Sequence, residues 1–243
     1  MRKLLLTAVV ILICFCSANA QNKQPLTESS VVKDTLGAVV PYNIWSSLLI
    51  TGHYKIKADA KVNTEFILYR LSDEEYEKTL GTMPKPKESN FFRTGSKFSH
   101  FKTTDINGNK INTKNMAGKI IVLNFWFINC PPCRQEMPEL NKLSDTYRSD
   151  SSIVFLAIAL DKKYDLEQFL NGSGFGYTII DNGRFITDQY HINSYPTNVV
   201  VDQNGKVHFH SSGLGIGTVH WLKKSIEELK NAAEKKDATA KSE

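Results

Sequence analysis

The sequence predicts an α/β protein in which a central mixed sheet, flanked by helices, follows a small β-rich N-terminal module. Two nearly unbroken apolar runs rich in β-forming residues, 119–127 and 153–160, are typical of strands buried on both faces. Between them, apolar residues recur at steps of three and four, as expected for one face of a helix: Met137, Leu140, Leu143 and Tyr147. Strand, helix and strand in this order predict a βαβ unit with a right-handed crossover.

The first twenty residues predict a cleaved secretory signal. Arg2 and Lys3 precede an apolar run, 4–16, and the segment 17–20 ends in the Ala-x-Ala pattern of a signal peptidase site. The run has 13 residues at about 1.5 Å each, which is short of the roughly 30 Å hydrocarbon core of a bilayer. We therefore expect a periplasmic or otherwise extracytoplasmic protein without stable membrane insertion.

The net charge and the cysteine content limit the classes of function that the chain can have. Loss of residues 1–20 changes the formal charge from +5 to +3, spread along the chain, so no nucleic-acid partner is expected. Of the four cysteines, Cys14 and Cys16 lie in the signal, which leaves Cys130 and Cys133 separated by two residues. A loop this short constrains the unfolded chain very little, so the pair is expected to react rather than to cross-link.

Residues 21–92 are predicted to form the separate N-terminal module. Two strands are expected at 48–58 and 62–71, followed by a helix from Ser72 to Leu80 that Ser72 and Glu75 cap reciprocally. The polar stretch 83–90 contains two prolines and predicts a linker. No motif in this module names an activity.

Residues 93–233 are predicted to form the main domain, and the charged residues 234–243 a mobile tail. Asn-Gly pairs at 107–108 and 204–205 indicate two β-hairpins. The further predicted elements are a hairpin of 98–104 and 110–112, short helices at 164–170 and 186–190, a hairpin of 197–201 and 207–211, and an amphipathic helix at 218–233.

The position of the cysteine pair favours thiol chemistry. A free thiol has a pKa of about 8.5, and Cys130 stands where a buried strand gives way to a helix, whose N-terminus favours an anion. Cys133 follows one turn later and can attack the sulfur of Cys130 in a mixed disulfide. Pro131 and Pro132 restrict the backbone between them.

The segment 125–143 resembles the active-site segment of the thioredoxin superfamily, and more narrowly its exported TlpA and ResA branch, with an AhpC/TSA-redoxin type domain. The branch motif Cys-x-x-Cys-x-x-Glu-x-Pro stands here as Cys130, Cys133, Glu136 and Pro138. The opening motif of the branch is similar to 95–101, with Ser99 in place of a proline, and the cis-proline segment is similar to 195–197. The resemblance covers about 95–232. It implies a thioredoxin fold, thiol–disulfide oxidoreductase activity and a link to the reductive maturation of cytochrome c.

The resemblance also implies residue roles. Thioredoxin has a Trp and a buried Asp where this chain has Asn129 and Asn124, which cannot shuttle a proton as a carboxylate does. Glu136, three residues after Cys133 on the same helical side, is therefore expected to be the acid/base for Cys133. The expected substrate-binding residues are Tyr195, whose backbone would pair with an incoming chain, together with Pro196, Trp126, Pro131 and Pro132. Trp126 is also compatible with core and cleft packing.

No cofactor is expected other than the redox-active disulfide Cys130–Cys133. Zinc needs about four ligands, and the mature chain has no second cysteine pair. His208 and His210 could chelate a metal but more simply face solvent. The expected partners are disulfide-bearing exported proteins and a membrane thiol-electron donor, since no soluble nicotinamide pool is expected outside the cytoplasm.

Other functions are possible on the same fold. A disulfide-forming oxidant stays open because thiol potentials in this fold span about −270 to −120 mV and sequence does not place the chain on that scale. A copper-binding assembly factor is disfavoured, since such proteins place three residues between their cysteines. A peroxidase is discounted because 124–129 lacks the Pro-x-x-x-Thr-x-x-Cys pattern. The N-terminal module could instead bind a partner or a cell-envelope component.

Overall fold

The computed structural model describes residues 25–60, 62, 64–172 and 174–240, so the expected signal at 1–20 lies outside the described residues. The elements, in chain order, are β1 (Val31–Lys33), α1 (Tyr42–Ile50), β2 (Tyr54–Ala58), β3 (Glu65–Arg70), α2 (Asp73–Gly81), β4 (Lys102–Thr104), β5 (Lys110–Asn112), a 3₁₀ turn (Thr113–Met116), β6 (Ile120–Trp126), α3 (Pro131–Thr146), β7 (Ile153–Ala159), α4 (Lys163–Leu170), β8 (Thr178–Ile180), α5 (Arg184–Gln189), β9 (Thr197–Val201), β10 (Val207–Ser212) and α6 (Thr218–Ala240).

The main sheet is mixed, with the strand order β10-β9-β6-β7-β8. Its central strand β6 pairs in parallel with β7 and antiparallel with β9, and all of its residues are buried. The connection from β6 to β7 runs through α3, which gives the predicted βαβ unit. The predicted fold class, a central mixed sheet flanked by helices, is confirmed.

Side chains of β6 alternate between two cores, as a strand covered on both faces requires. Ile120, Val122 and Trp126 face a core that contains the buried sides of α3 and α6. Ile121, Leu123 and Phe125 face a second core formed with the segments around β4, β5 and α5. Because a fully buried Leu or Ile contributes about 1.5–3 kcal/mol, these two cores hold β6, and the end from which Cys130 follows, in a fixed position.

The N-terminal module contains a three-stranded sheet in the order β1-β3-β2. Of the predicted strand 48–58, only the second half is a strand, because residues 42–50 form α1. Trp45 and Leu48, three apart on one side of α1, pack on this sheet, and Gly52 leaves the helix with a φ of 77°. The predicted cap of α2 is present, since Glu75 N–H donates to Ser72 Oγ at 3.2 Å and Ser72 N–H donates to Glu75 Oε2 at 2.9 Å.

The predicted linker 83–90 has no regular structure, but both of its ends contact the main domain. Trp221 Nε1–H donates to the Met83 carbonyl at 3.4 Å. Ser89 is buried and contacts His210 of β10. This stretch therefore connects two units, the N-terminal module and the main domain, that pack against each other.

The tail predicted from residue 234 is helical up to Ala240, because α6 continues beyond the predicted end at residue 233. Neither proline nor glycine follows Ala233, and Ala, Glu and Lys are strong helix formers, so nothing in the sequence ends the helix there. The short strands β1 and β8 were not predicted. Within the described ranges, no helix is both long enough and apolar enough to cross a bilayer.

Candidate active site

Cys130 and Cys133 form a disulfide at the start of α3, with their Cα atoms 5.3 Å apart. Cys130 is the N-cap residue, with an extended backbone, and its sulfur accepts a hydrogen bond from Cys133 N–H at 3.3 Å. This N–H group and the helix dipole both favour negative charge on the Cys130 sulfur, which is the placement that stabilises a thiolate. Both cysteines are buried in the oxidised form, whereas Pro131 beside them is exposed and Pro132 is half-buried.

Glu136 lies on the buried side of α3, one turn after Cys133, with 4% of its surface exposed. Its Oε1 accepts a hydrogen bond from Asn198 Nδ2–H at 2.6 Å, while Oε2 has no partner among the described residues. Burial raises the pKa of Glu136 to about 8, and the bond from Asn198 opposes this shift. A surface role for this carboxyl is excluded, and it exchanges its proton close to neutral pH.

Two buried asparagines support Glu136 from the sheet. Asn124 in β6 and Asn198 in β9 are register partners on adjacent strands, and Asn124 Nδ2–H donates to Asn198 Oδ1 at 2.9 Å. Asn124 is noted above only for the aspartate that it replaces, and Asn198 is a site residue that the sequence motifs do not indicate. The available signal was a polar amide within the apolar strand 197–201.

The peptide bond between Tyr195 and Pro196 is cis, as the resemblance implies. Pro196 is buried, and the half-buried Tyr195 ring packs edge-on against Phe127 with ring centroids 5.4 Å apart. Phe127 belongs to the loop that leads into the cysteine pair, since its carbonyl accepts a hydrogen bond from Cys130 N–H at 3.2 Å. The cis-proline loop therefore lies beside the loop that carries Cys130.

The structure does not support Trp126 as a substrate-binding residue. Its side chain is 0% exposed and packs against Phe169 and Phe175, with ring centroids 5.8 and 5.6 Å away. The reason is strand alternation, which turns this last residue of β6 into the core under α3 rather than into the cleft. Trp126 is a core residue.

The two histidines of β10 differ in their exposure to solvent. His208 is partly exposed, with Nε2 3.3 Å from Glu228 Oε2. His210 is fully buried, which corrects the expectation that it faces solvent, and its Nδ1 accepts a hydrogen bond from Ser89 N–H at 3.0 Å. Within the part of the chain that the structure describes, no group of three or more His, Cys, Asp or Glu side chains is placed to hold a metal ion.

A cavity of about 570 Å³ lies between the N-terminal module and the helices α3 and α6. Glu136 forms part of its wall, opposite His53 and Tyr76 of the module. His53 Nε2 lies 3.4 Å from Glu139 Oε1 of α3, which links the two units at the rim. The N-terminal module therefore encloses one side of the space next to Glu136.

Comparison with known proteins agrees with this geometry. Residues 94–210 match the AhpC/TSA family. The thiol-disulfide oxidoreductase ResA of Halalkalibacterium halodurans is 31% identical over 134 residues, which are 52% of this chain and 76% of the relative. ResA of Bacillus anthracis is 33% identical over 114 residues, which are 46% of this chain and 66% of that protein.

Solved structures are also similar. A candidate thiol:disulfide interchange protein DsbE from Chlorobium tepidum aligns with a TM-score of 0.52 at 25% identity, over 57% of this chain and 98% of that one. A candidate protein disulfide isomerase from Bacteroides thetaiotaomicron has a TM-score of 0.53 at 22% identity, over 57% of this chain and 90% of its own, and supports the fold alone. The chain has a cysteine pair at a helix start on a thioredoxin fold, and it matches a ResA relative over three quarters of that relative's length. It therefore belongs to the ResA family of thiol–disulfide oxidoreductases, with an AhpC/TSA thioredoxin-like domain.

Proposed function

We propose that the protein works outside the cytoplasm and reduces disulfides in exported proteins through Cys130 and Cys133. The observation that carries the proposal is the arrangement of this pair at the start of α3, with the buried carboxyl of Glu136 one turn further along the same side. The expected signal at 1–20 supports the location. The resemblance to the TlpA and ResA branch supports a role in reductive maturation of cytochrome c.

In the first step, the thiolate of reduced Cys130 attacks one sulfur of the substrate disulfide. A mixed disulfide forms, and the other substrate sulfur leaves as a thiolate. The helix start stabilises the attacking thiolate through its dipole and through Cys133 N–H, which donates to the Cys130 sulfur. The exposed Pro131 and the cis-proline loop at Tyr195 and Pro196 flank the pair and would contact the incoming chain.

In the second step, Glu136 removes the proton of Cys133, and the Cys133 thiolate attacks the Cys130 sulfur of the mixed disulfide. The bond to the substrate breaks, the second substrate sulfur leaves as a thiolate, and the protein is left with the disulfide seen in the structure. Two electrons pass from the dithiol to the substrate. Return to the dithiol needs a thiol-electron donor, which we propose to be a membrane protein.

The same geometry could run in reverse and oxidise substrate dithiols. The resemblance to the TlpA and ResA branch favours the reducing direction. Glu136 serves both directions, because a base that accepts the Cys133 proton in one direction returns it in the other. A copper-assembly role has less support. Two residues separate the cysteines, and the described residues hold no third ligand near them in a group suited to a metal.

The order of attack is tested by trapping. Cys133→Ala should accumulate mixed disulfides with exported proteins, because Cys130 still attacks and nothing resolves the adduct. Adducts should be several-fold more abundant than in wild type and should disappear on a gel after reductant. Cys130→Ala is the matched control, and equal trapping by that variant would reverse the assigned roles.

A further inference from the structure

We propose that Asn198, held in place by Asn124, is a positioning residue that fixes the Glu136 carboxyl and sets the pH at which this carboxyl takes up and releases its proton. The proposal rests on the function proposed above for Glu136. It assigns a catalytic support role to two residues for which the active-site motif gives no signal.

The side chains of Asn124, Asn198 and Glu136 lie next to one another between the sheet and α3. Asn198 and Asn124 are register partners on antiparallel strands, so their side chains lie on the same face of the sheet. This is the face covered by α3, as shown by Val122 and Val200 in the same core as Cys133. A continuous chain of hydrogen bonds results, at 2.9 Å from Asn124 to Asn198 and at 2.6 Å from Asn198 to Glu136.

The amides of Asn124 and Asn198 are both buried. Asn124 is 2% exposed and Asn198 0% exposed, in a core otherwise built of apolar side chains. A buried amide without a partner destabilises a protein by about 1–3 kcal/mol, so a polar pair at this position is tolerated only if its bonds are made. The bond that the pair makes outside the sheet is the one to Glu136.

The two carboxyl oxygens of Glu136 differ in their hydrogen bonding. Oε1 is fixed by Asn198, whereas Oε2 has no partner among the described residues. In the neutral carboxyl, Oε1 can accept as the carbonyl oxygen, which leaves Oε2 to carry the exchangeable proton. In the ionised carboxyl, the same Asn198 donor stabilises the charge.

Other titratable groups also surround Glu136. Charged side chains share its cavity from three helices: Glu77 from α2, Glu139 and Lys142 from α3, and Lys223, Lys224 and Glu227 from α6. His53 and His220 line the same cavity, and the buried Tyr177 interacts electrostatically with Glu136. The pKa of Glu136 nevertheless responds to two influences, burial and the Asn198 bond. Asn198 is therefore the side chain whose loss should move it.

The experiment titrates Glu136 directly in the full-length protein. Infrared difference spectroscopy follows the protonated carboxyl, assigned by the loss of its band in Glu136→Gln. In parallel, stopped-flow reduction of a model disulfide gives the pH profile of the resolution step. The variants are Asn198→Ala, which removes the donor, Asn198→Thr, which restores a shorter donor, and Val200→Ala, a matched core truncation on the same face of β9.

We expect the Glu136 midpoint of Asn198→Ala to move to higher pH by about one unit. This lowers the carboxylate population, and hence the resolution rate, about tenfold at pH 7. Asn198→Thr should restore part of the shift, and Val200→Ala should lower stability without moving the midpoint. If Asn198→Ala does not fold, Asn124→Ala takes its place, and its midpoint must also rise.

An unchanged midpoint in the variants that fold, or an equal shift in Val200→Ala, would overturn the positioning role. A midpoint that rises while the resolution rate keeps its wild-type pH profile would support the positioning and contradict the base role assigned to Glu136. The two proposals can therefore fail separately.

Discussion

The Glu136 carboxyl is buried and, among the described residues, receives one hydrogen bond, from Asn198. Burial disfavours the charged form, so the group is mostly neutral at pH 7 with its pKa near 8. A group poised near the working pH can accept and return a proton, which is why perturbed carboxyls concentrate at catalytic sites. The resolution rate should therefore rise with pH up to about 8.

Stability gives a test of Glu136 that does not involve activity. Its pKa is raised in the folded protein from 4.5 to about 8, so the unfolded chain ionises first as pH rises. The stability that the neutral group provides is fully present below about pH 4.5 and is lost as pH rises towards 8. Glu136→Gln should match wild type near pH 4 and exceed it by a few kcal/mol at pH 8.5.

The measurement is denaturant unfolding of both oxidised proteins across this pH range. A constant difference between Glu136→Gln and wild type would show that the carboxyl titrates normally. Glu139→Gln, the same substitution on the partly exposed side of the same helix, serves as the matched control.

Site residues that lie on one helix could be predicted from their spacing in the sequence. Residues that reach the site from a neighbouring strand could not. Cys130, Cys133 and Glu136 follow one another on one helix, so their spacing alone placed them on one side. Asn198 reaches Glu136 only because β9 pairs with β6, a contact that sequence spacing does not reveal. Trp126 is close to the cysteines in sequence, which favours a place in the substrate cleft. Alternation along β6 instead turns its side chain into the core.

The segment 83–90 packs against the main domain as well as connecting the two units. Ser89 is buried, and both its N–H and its Oγ lie 3.0 Å from His210 Nδ1. Because Nδ1 accepts the backbone N–H, the His210 ring is neutral in this arrangement. Burial correspondingly lowers the pKa of His210 below its ordinary value. The end of this segment is thereby fixed to β10.

This contact predicts a difference between two buried serines. Ser89→Ala should lower the free energy of unfolding by about 1 kcal/mol, because it removes one hydrogen bond to His210. Ser211→Ala is the matched control in β10, since its Oγ has no partner among the described residues and its loss should be neutral or stabilising. Equal losses, measured by urea unfolding, would show that the Ser89 side chain does not anchor the segment.

Helices and strands with a clear hydrophobic period could be predicted from the sequence. Elements whose type depends on tertiary contacts could not. The buried strands β6 and β7 and the amphipathic helices α3 and α6 follow from sequence patterns. The run that includes α1 is apolar and short, so strand and helix fit it equally until its packing on the small sheet decides. The strands β1 and β8 have three residues each, too few for a period to be recognised.

For the whole molecule, the main question is whether the N-terminal module takes part in catalysis. The cysteine pair, Glu136, Asn198 and the cis-proline loop all follow residue 95, and the match to the AhpC/TSA family spans residues 94–210. The module instead contributes His53 and Tyr76 to the wall of the cavity next to Glu136. We propose that it shields this carboxyl and is not needed for thiol exchange.

A fragment that begins at Lys87, and so keeps Glu88 and Ser89, should reduce insulin at a rate within a few-fold of the full-length protein. Its resolution step should reach its plateau at lower pH, because loss of the module reduces the burial that raises the pKa of Glu136. Circular dichroism checks that the fragment is folded. A folded but inactive fragment would show that the module completes the active site.

A redox titration against glutathione distinguishes a protein that reduces disulfides from one that forms them. The fraction of Cys130–Cys133 disulfide is measured by thiol alkylation after equilibration of the full-length protein in buffers of defined glutathione ratio. A reductant should have a potential close to that of thioredoxin, about −270 mV, so that its dithiol can donate electrons to substrate disulfides. A potential near −120 mV, typical of strong disulfide-forming oxidants, would contradict the proposed function.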